Sequence, residues 1–123
     1  MVHLDTNFLV FALKAGTAEE TKLWNWLARG EDIGMSVVAW AEFLCGPLSA
    51  EDELNAKLLL PQPDALLSAD AAKAAQLFNQ TGRRSRSLPD CLIAAVALRC
   101  GAKLATGNTA DFTPFQRQGL TLA

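Results

Sequence analysis

"SLPDCLIAAVALRCGAKLATGN" spans residues 87–108, and its reading decides the fold. Ser87 caps a helix, Pro89 is tolerated in its first turn, and Gly101 closes it. From Cys91 to Leu98 every residue is apolar, so this helix belongs in an interior rather than on a surface. Past Gly101, "AKLATGN" is a short central strand that runs out of apolar residues at Thr106-Gly107-Asn108. A buried helix feeding a buried strand is the working unit of a parallel sheet.

The same alternation extends back to the start. Val2 to Leu4 reads as a short buried strand, followed by a helix that Thr6 or Asn7 caps and that ends near Gly16. Thr17 caps the next helix, with Glu20 completing a capping box; Leu23, Trp24 and Leu27 form its apolar face, and Trp26 lies off it. "DIGMSVV" (32–38) is a second strand, Ser36 caps "VVAWAEFLCG" (37–46), and Ser49 starts a helix stopped by Pro61 and Pro63. "DALLS" (64–68) reads as a short strand, residues 69–82 as a helix rich in good helix formers, and "LTLA" (120–123) as an edge strand. These elements predict an α/β fold: a three-layer α/β/α sandwich around a short, mainly parallel sheet, one domain over residues 1–123.

Bulk properties narrow the function classes. With 123 residues, half of them hydrophobic, the chain can build a core without disulfides or a structural metal. No apolar run approaches the ~20 residues that span a bilayer, and no basic-then-apolar leader opens the chain, so a cytoplasmic protein is expected. Three cysteines (Cys45, Cys91, Cys100), all in apolar surroundings and without a C-x-x-C, read as buried reduced thiols. A single histidine, His3, reads as structural and argues against a zinc site. A net charge of −2 excludes a grossly basic nucleic-acid binder but leaves room for a local basic patch.

Four of the thirteen acidic residues fall where a solvated surface would not put them. Asp5 ends a buried strand; Glu42 interrupts an apolar helix with no cation at Val38 or Gly46; Asp90 lies in the first turn of the apolar helix; Asp111 follows the last central strand. Each has a modest explanation, such as the helix macrodipole for Asp90 or a turn for Asp111. Together they suit the carboxyl ends of parallel strands, where ligand sites gather. Carboxylates brought together raise one another's pKa, and a hard divalent ion relieves the repulsion. All-oxygen donors favour Mg²⁺ or Mn²⁺, and such ions serve phosphodiester hydrolysis.

"HLDTN", "SVVAWAEFLCG", "RSLPDCLIAAVAL" and "LATGNTADF" occur in that order, and the ordered set resembles the PIN-domain ribonucleases, above all the VapC-type toxins of toxin–antitoxin pairs. The resemblance covers the whole chain. It implies a metal-dependent endoribonuclease using Mg²⁺ or Mn²⁺, with Asp5 and Asp90 as primary ligands and Glu42 and Asp111 completing the set. Thr6 and Asn108 match supporting polar positions. It also implies a small VapB-like antitoxin partner, an RNA substrate and a homodimer, with no membrane attachment.

Arg83, Arg84 and Arg86 form the one dense basic cluster, just before Asp90, and are expected to contact RNA phosphates or acidic antitoxin residues. Exposed apolar faces of "KLWNWLARG" and "NAKLLL" are expected docking surfaces for the partner, and Trp24 is expected in the core. Two rivals remain: a PIN-like nuclease processing RNA or DNA without a toxin role, and a non-catalytic cation-binding module. A response-regulator-like domain fits less well, because Lys103 precedes its strand.

Overall fold

The computed structural model describes residues 1–123. Three short strands make a fully parallel sheet in the order β2-β1-β3: β1 is Val2–Leu4, β2 is Ile33–Gly34 and β3 is Lys103–Ala105. His3 sits opposite Gly34 on one side and Leu104 on the other. The ladder continues past β1, where the Asp5 N–H donates to the Ala105 carbonyl at 2.9 Å. The chain leaves β1 toward β2, then crosses back over to β3. The order therefore reverses at the carboxyl ends of β1 and β3, where an open α/β sheet forms its crevice.

Helices join and cover the strands: α1 (Thr6–Ala12), α2 (Ala18–Ala28), α3 (Val37–Cys45), α4 (Ala50–Leu59), α5 (Ser68–Gln80), α6 (Leu88–Arg99) and α7 (Thr109–Phe112), the last running into a 3₁₀ stretch at Thr113–Gln118. As its unbroken apolar run predicts, α6 is the interior helix: Ile93, Ala94, Ala95, Val96 and Ala97 are all buried. Its alanines permit close approach, and α6 packs against α5, α3 and β3. Phe43, Phe112, Phe115, Leu4 and Leu104 fill the rest of the core. None of the helices is long and apolar enough to cross a membrane.

Several local expectations are corrected. Asp5, not Thr6 or Asn7, caps α1, accepting from the Thr6 N–H at 2.8 Å. Glu20 reaches back to the Gly16 N–H rather than to that of Thr17. Ser87 precedes α6 but makes no side-chain cap; its hydroxyl donates to the Arg84 carbonyl. "DALLS" and "LTLA" contribute one parallel bridge each, Ser36 with Asp64 and Leu104 with Leu122. Cys91 alone is buried, Cys100 is half-buried and Cys45 is exposed. The tryptophans exchange roles: Trp26 is buried and stacks on Phe8 at 5.5 Å, whereas Trp24 is 64% exposed.

Candidate active site

Asp5 is the buried anchor of the carboxyl edge. One carboxylate oxygen accepts the Thr6 N–H at 2.8 Å; the other accepts the Thr106 hydroxyl at 2.9 Å, across a sequence separation of 101 residues. Thr106 in turn accepts the Asn108 N–H at 3.0 Å, so one hydroxyl ties the metal-ligand candidate on β1 to the turn leaving β3. Sequence reasoning missed Thr106. A threonine just before Gly107-Asn108 at the end of a strand carries no signal of its own, because its partner Asp5 is 101 residues away.

The other acids arrive from three different segments. Glu42 projects from the middle of α3 and is exposed rather than buried, beside a cleft of about 370 Å³ that Thr6, Asn7 and Lys14 also line. Thr6 itself donates to the Ala39 carbonyl at 3.0 Å, which holds the start of α1 against α3. Asp90 is half-buried in the first turn of α6, and Asp111 is exposed on α7. Asn108 precedes α7 and caps it without a side-chain hydrogen bond.

Electrostatics join the four. Asp90 is pushed up to about 6, first by burial and then by the charges of Asp5, Asp111 and Glu42, with Arg84 opposing. Burial, with some help from Asp111, raises Asp5 against the pull of Thr106 and the Thr6 N–H. Burial and Asp5 raise Glu42, which the Thr6 hydroxyl partly offsets. A field that disfavours its own carboxylates is one that a divalent cation stabilises. The donors are all oxygen, the set that hard ions prefer. The four acids do not close into a tight cage; the only three His, Cys, Asp or Glu donors within 4.8 Å of one another are elsewhere, at His3, Asp64 and Cys100. Such spacing leaves room for the several waters that Mg²⁺ retains.

The three arginines separate. Arg84 Nη2 donates to the Asp111 carbonyl at 3.2 Å and its guanidinium lies over the Phe115 ring, so it links the loop before α6 to α7. Arg83 turns away, bonding Asn79 and covering Phe78. Arg86 makes no hydrogen bond or ion pair within the protein. Arg83 and Arg86 both have left-handed backbones, φ 53° and 65°, which non-glycine residues seldom adopt. That strain is held in place by the loop's own bonds, from Arg83 to Asn79, from Arg84 to the Asp111 carbonyl and from Ser87 to the Arg84 carbonyl.

Comparison with known proteins bears on this geometry. No curated protein matches the chain. Among solved structures, it is similar to FitAcB of Neisseria gonorrhoeae (23% identity, 99% of this chain and 96% of the other, TM-score 0.73). It is similar to VapBC2 of Rickettsia felis, solved on a DNA fragment from its promoter (20% identity, 100% and 98%, TM-score 0.73). The same holds for VapC20 of Mycobacterium tuberculosis, described as a sarcin–ricin-loop-cleaving toxin (15% identity, 100% and 98%, TM-score 0.68). At these identities the likeness establishes the fold. The PIN domain model matches residues 2–116, from the first strand through the helix that carries Asp111, and on that span the chain belongs to the PIN-domain family.

Proposed function

We propose that this chain is a Mg²⁺- or Mn²⁺-dependent endoribonuclease, the toxin of a VapBC-type toxin–antitoxin pair, acting in the cytoplasm as one PIN-like unit over residues 1–123. The observation that carries the reading is the position of Asp90, raised to about 6 by burial and three converging acids at the sheet's carboxyl edge. Family membership and structural neighbours that are toxin–antitoxin proteins support it.

Asp5, Asp90, Asp111 and Glu42 would hold the ion, which when bound activates water and neutralises charge on the phosphoryl oxygens. Asp5 is held ready by Thr6 and Thr106, so its orientation is set before substrate arrives. Glu42, exposed beside the cleft, would either help hold the ion or take a proton from water. Arg84 brings a positive charge near Asp90 and Asp111, where a phosphate of the RNA would lie, and Arg83 and Arg86 on the same loop would add to that charge. Asn108 borders the same mouth and offers an amide to the substrate.

The antitoxin would dock in the apolar groove between α2 and α4. Leu23, Trp24, Leu27 and Leu59 line it, about 330 Å³ in volume, with Trp24 largely exposed. An amphipathic helix laid in such a groove uses residues like these as its counterparts. A homodimer of the toxin completes the expected assembly.

The test is cleavage of a pool of structured RNAs with and without Mg²⁺, comparing the native chain with Asp5→Asn and Asp90→Asn. Discrete products that need both the metal and the aspartates are expected. Cleavage unchanged in folded variants overturns the reading.

A further inference from the structure

We propose that His3, Asp64 and Cys100 form a second cation site, separate from the acidic edge and suited to Zn²⁺. One donor atom from each lies within 4.8 Å of the others. The three come from β1, from the segment that bridges to Ser36 and from the C-terminal end of α6, so only the folded chain brings them together.

The histidine is the decisive group. His3 is 1% exposed, and neither of its ring nitrogens makes a regularly aligned hydrogen bond. Nε2 nevertheless lies 2.8 Å from an Asp64 carboxylate oxygen. At that separation the imidazole and the carboxylate are an ion pair, and an ion bound between them would replace their direct contact. The backbone makes space at the same point: a Cβ on Gly34 would stand 3.1 Å from His3 Nε2 and 3.3 Å from the Asp64 oxygen. Those are the two atoms that would face the metal.

A nitrogen, a thiolate and a carboxylate oxygen make a donor set that zinc accepts, whereas Mg²⁺ and Ca²⁺ prefer oxygen alone. Bonds of about 2.0–2.3 Å to a tetrahedral ion place donors about 3.3–3.8 Å apart, so the set closes when the His3–Asp64 contact opens from 2.8 Å and Cys100 moves inward. Asp64 and Cys100 are partly exposed, which leaves the fourth position to water. On binding, the Cys100 thiol gives its proton to solvent, and His3 ligates as neutral imidazole. The charged groups around His3 and Cys100 are Asp64, Arg99, Asp70 and the amino terminus; none of the four edge acids is among them. Arg99 does not compete for the ligands, because its guanidinium is engaged by Asp70 at 2.9 Å and by the Ala65 carbonyl. The ion would clamp β1 two residues before Asp5, and so acts on the scaffold rather than on the substrate.

The test is titration of the full chain with Zn²⁺, and separately with Co²⁺ as a spectroscopic probe, in saturating Mg²⁺. Native protein is expected to bind one Zn²⁺ with release of a proton, gain melting temperature, and show a thiolate-to-cobalt charge-transfer band. Cys100→Ser should abolish the band, and Asp64→Asn should weaken Zn²⁺ by roughly tenfold or more. Asp5→Asn and Cys45→Ser should change neither, which separates this site from the acidic edge and from an exposed thiol. Folding of each variant is checked by circular dichroism. Equal Zn²⁺ isotherms for the native chain and folded Cys100→Ser, or a band lost in Cys45→Ser instead, overturn the proposal.

Discussion

Two carboxylates on this chain sit in opposite worlds. Asp70 is buried at the start of α5, where burial alone would raise it. The Arg99 guanidinium, at 2.9 and 3.0 Å, and the Leu67 N–H overcome that and hold it below the ordinary carboxylate value. Asp90 climbs to about 6, first because burial disfavours its charge with no cation bonded to offset it, and then because its neighbours are acids. One is satisfied by the protein and serves stability. The other is left unsatisfied by the protein, and its discontent is resolved only by something the protein binds.

Substituting each with its neutral analogue is the sharpest way to break the contrast. Asp90→Asn should lower Mg²⁺-dependent RNA cleavage by at least about a hundredfold, as loss of a metal ligand does. It should also raise the melting temperature of the metal-free protein near neutral pH, since it removes a repelled charge. An Asp90→Asn chain that melts lower than native without metal would erase the distinction.

Acidity sharpens the same point. The folded protein holds the Asp90 carboxyl at about 6 against an ordinary 3.8, so folding favours its protonated form. That contribution is complete below about pH 4 and is lost as the pH rises through 6. Thermal melts of the metal-free protein should therefore lose stability over this window. Mg²⁺ should raise the melting temperature much more near pH 7 than near pH 5. A Mg²⁺ effect equal at both values would show that the acids are not what the ion meets.

Thr106→Val removes the hydroxyl from Asp5 and frees the Asn108 N–H. Metal affinity, read by calorimetry, should fall by about tenfold while the fold persists. Asp70→Ala has the smallest expected effect on function: it removes the Leu67 bond and the Arg99 ion pair together, so the urea midpoint should fall while cleavage per folded molecule stays unchanged.

The acids were legible because they violate local expectation: a carboxylate ending an apolar strand or interrupting an apolar helix needs a reason. Asp5, Glu42 and Asp90 carry that signature and Asp111 follows the last central strand, and in the fold the charges of the other three all act on Asp90. Thr106 was not legible, because a threonine before Gly-Asn looks like ordinary turn chemistry until its partner 101 residues away is known. The tryptophans of α2 were misassigned for a related reason. Leu23 can pair with Trp26 or with Leu27 at helical spacing, and periodicity does not say which stripe meets Phe8 and which meets solvent. Strand β2 reads longer in sequence than its two paired residues, because Ser36 caps α3 and Val37 and Val38 already belong to that helix.

The bond from Thr106 to Asp5 also orders events in time. A ribosome delivers Asp5 101 residues before Thr106, and the carbonyl of Ala105 that receives the Asp5 N–H arrives with Thr106. A nascent chain that has reached Arg99 already carries Asp5, Glu42 and Asp90, but it lacks the strand that seats the first of them. The seat of Asp5 therefore forms only after β3 and Thr106 have been made.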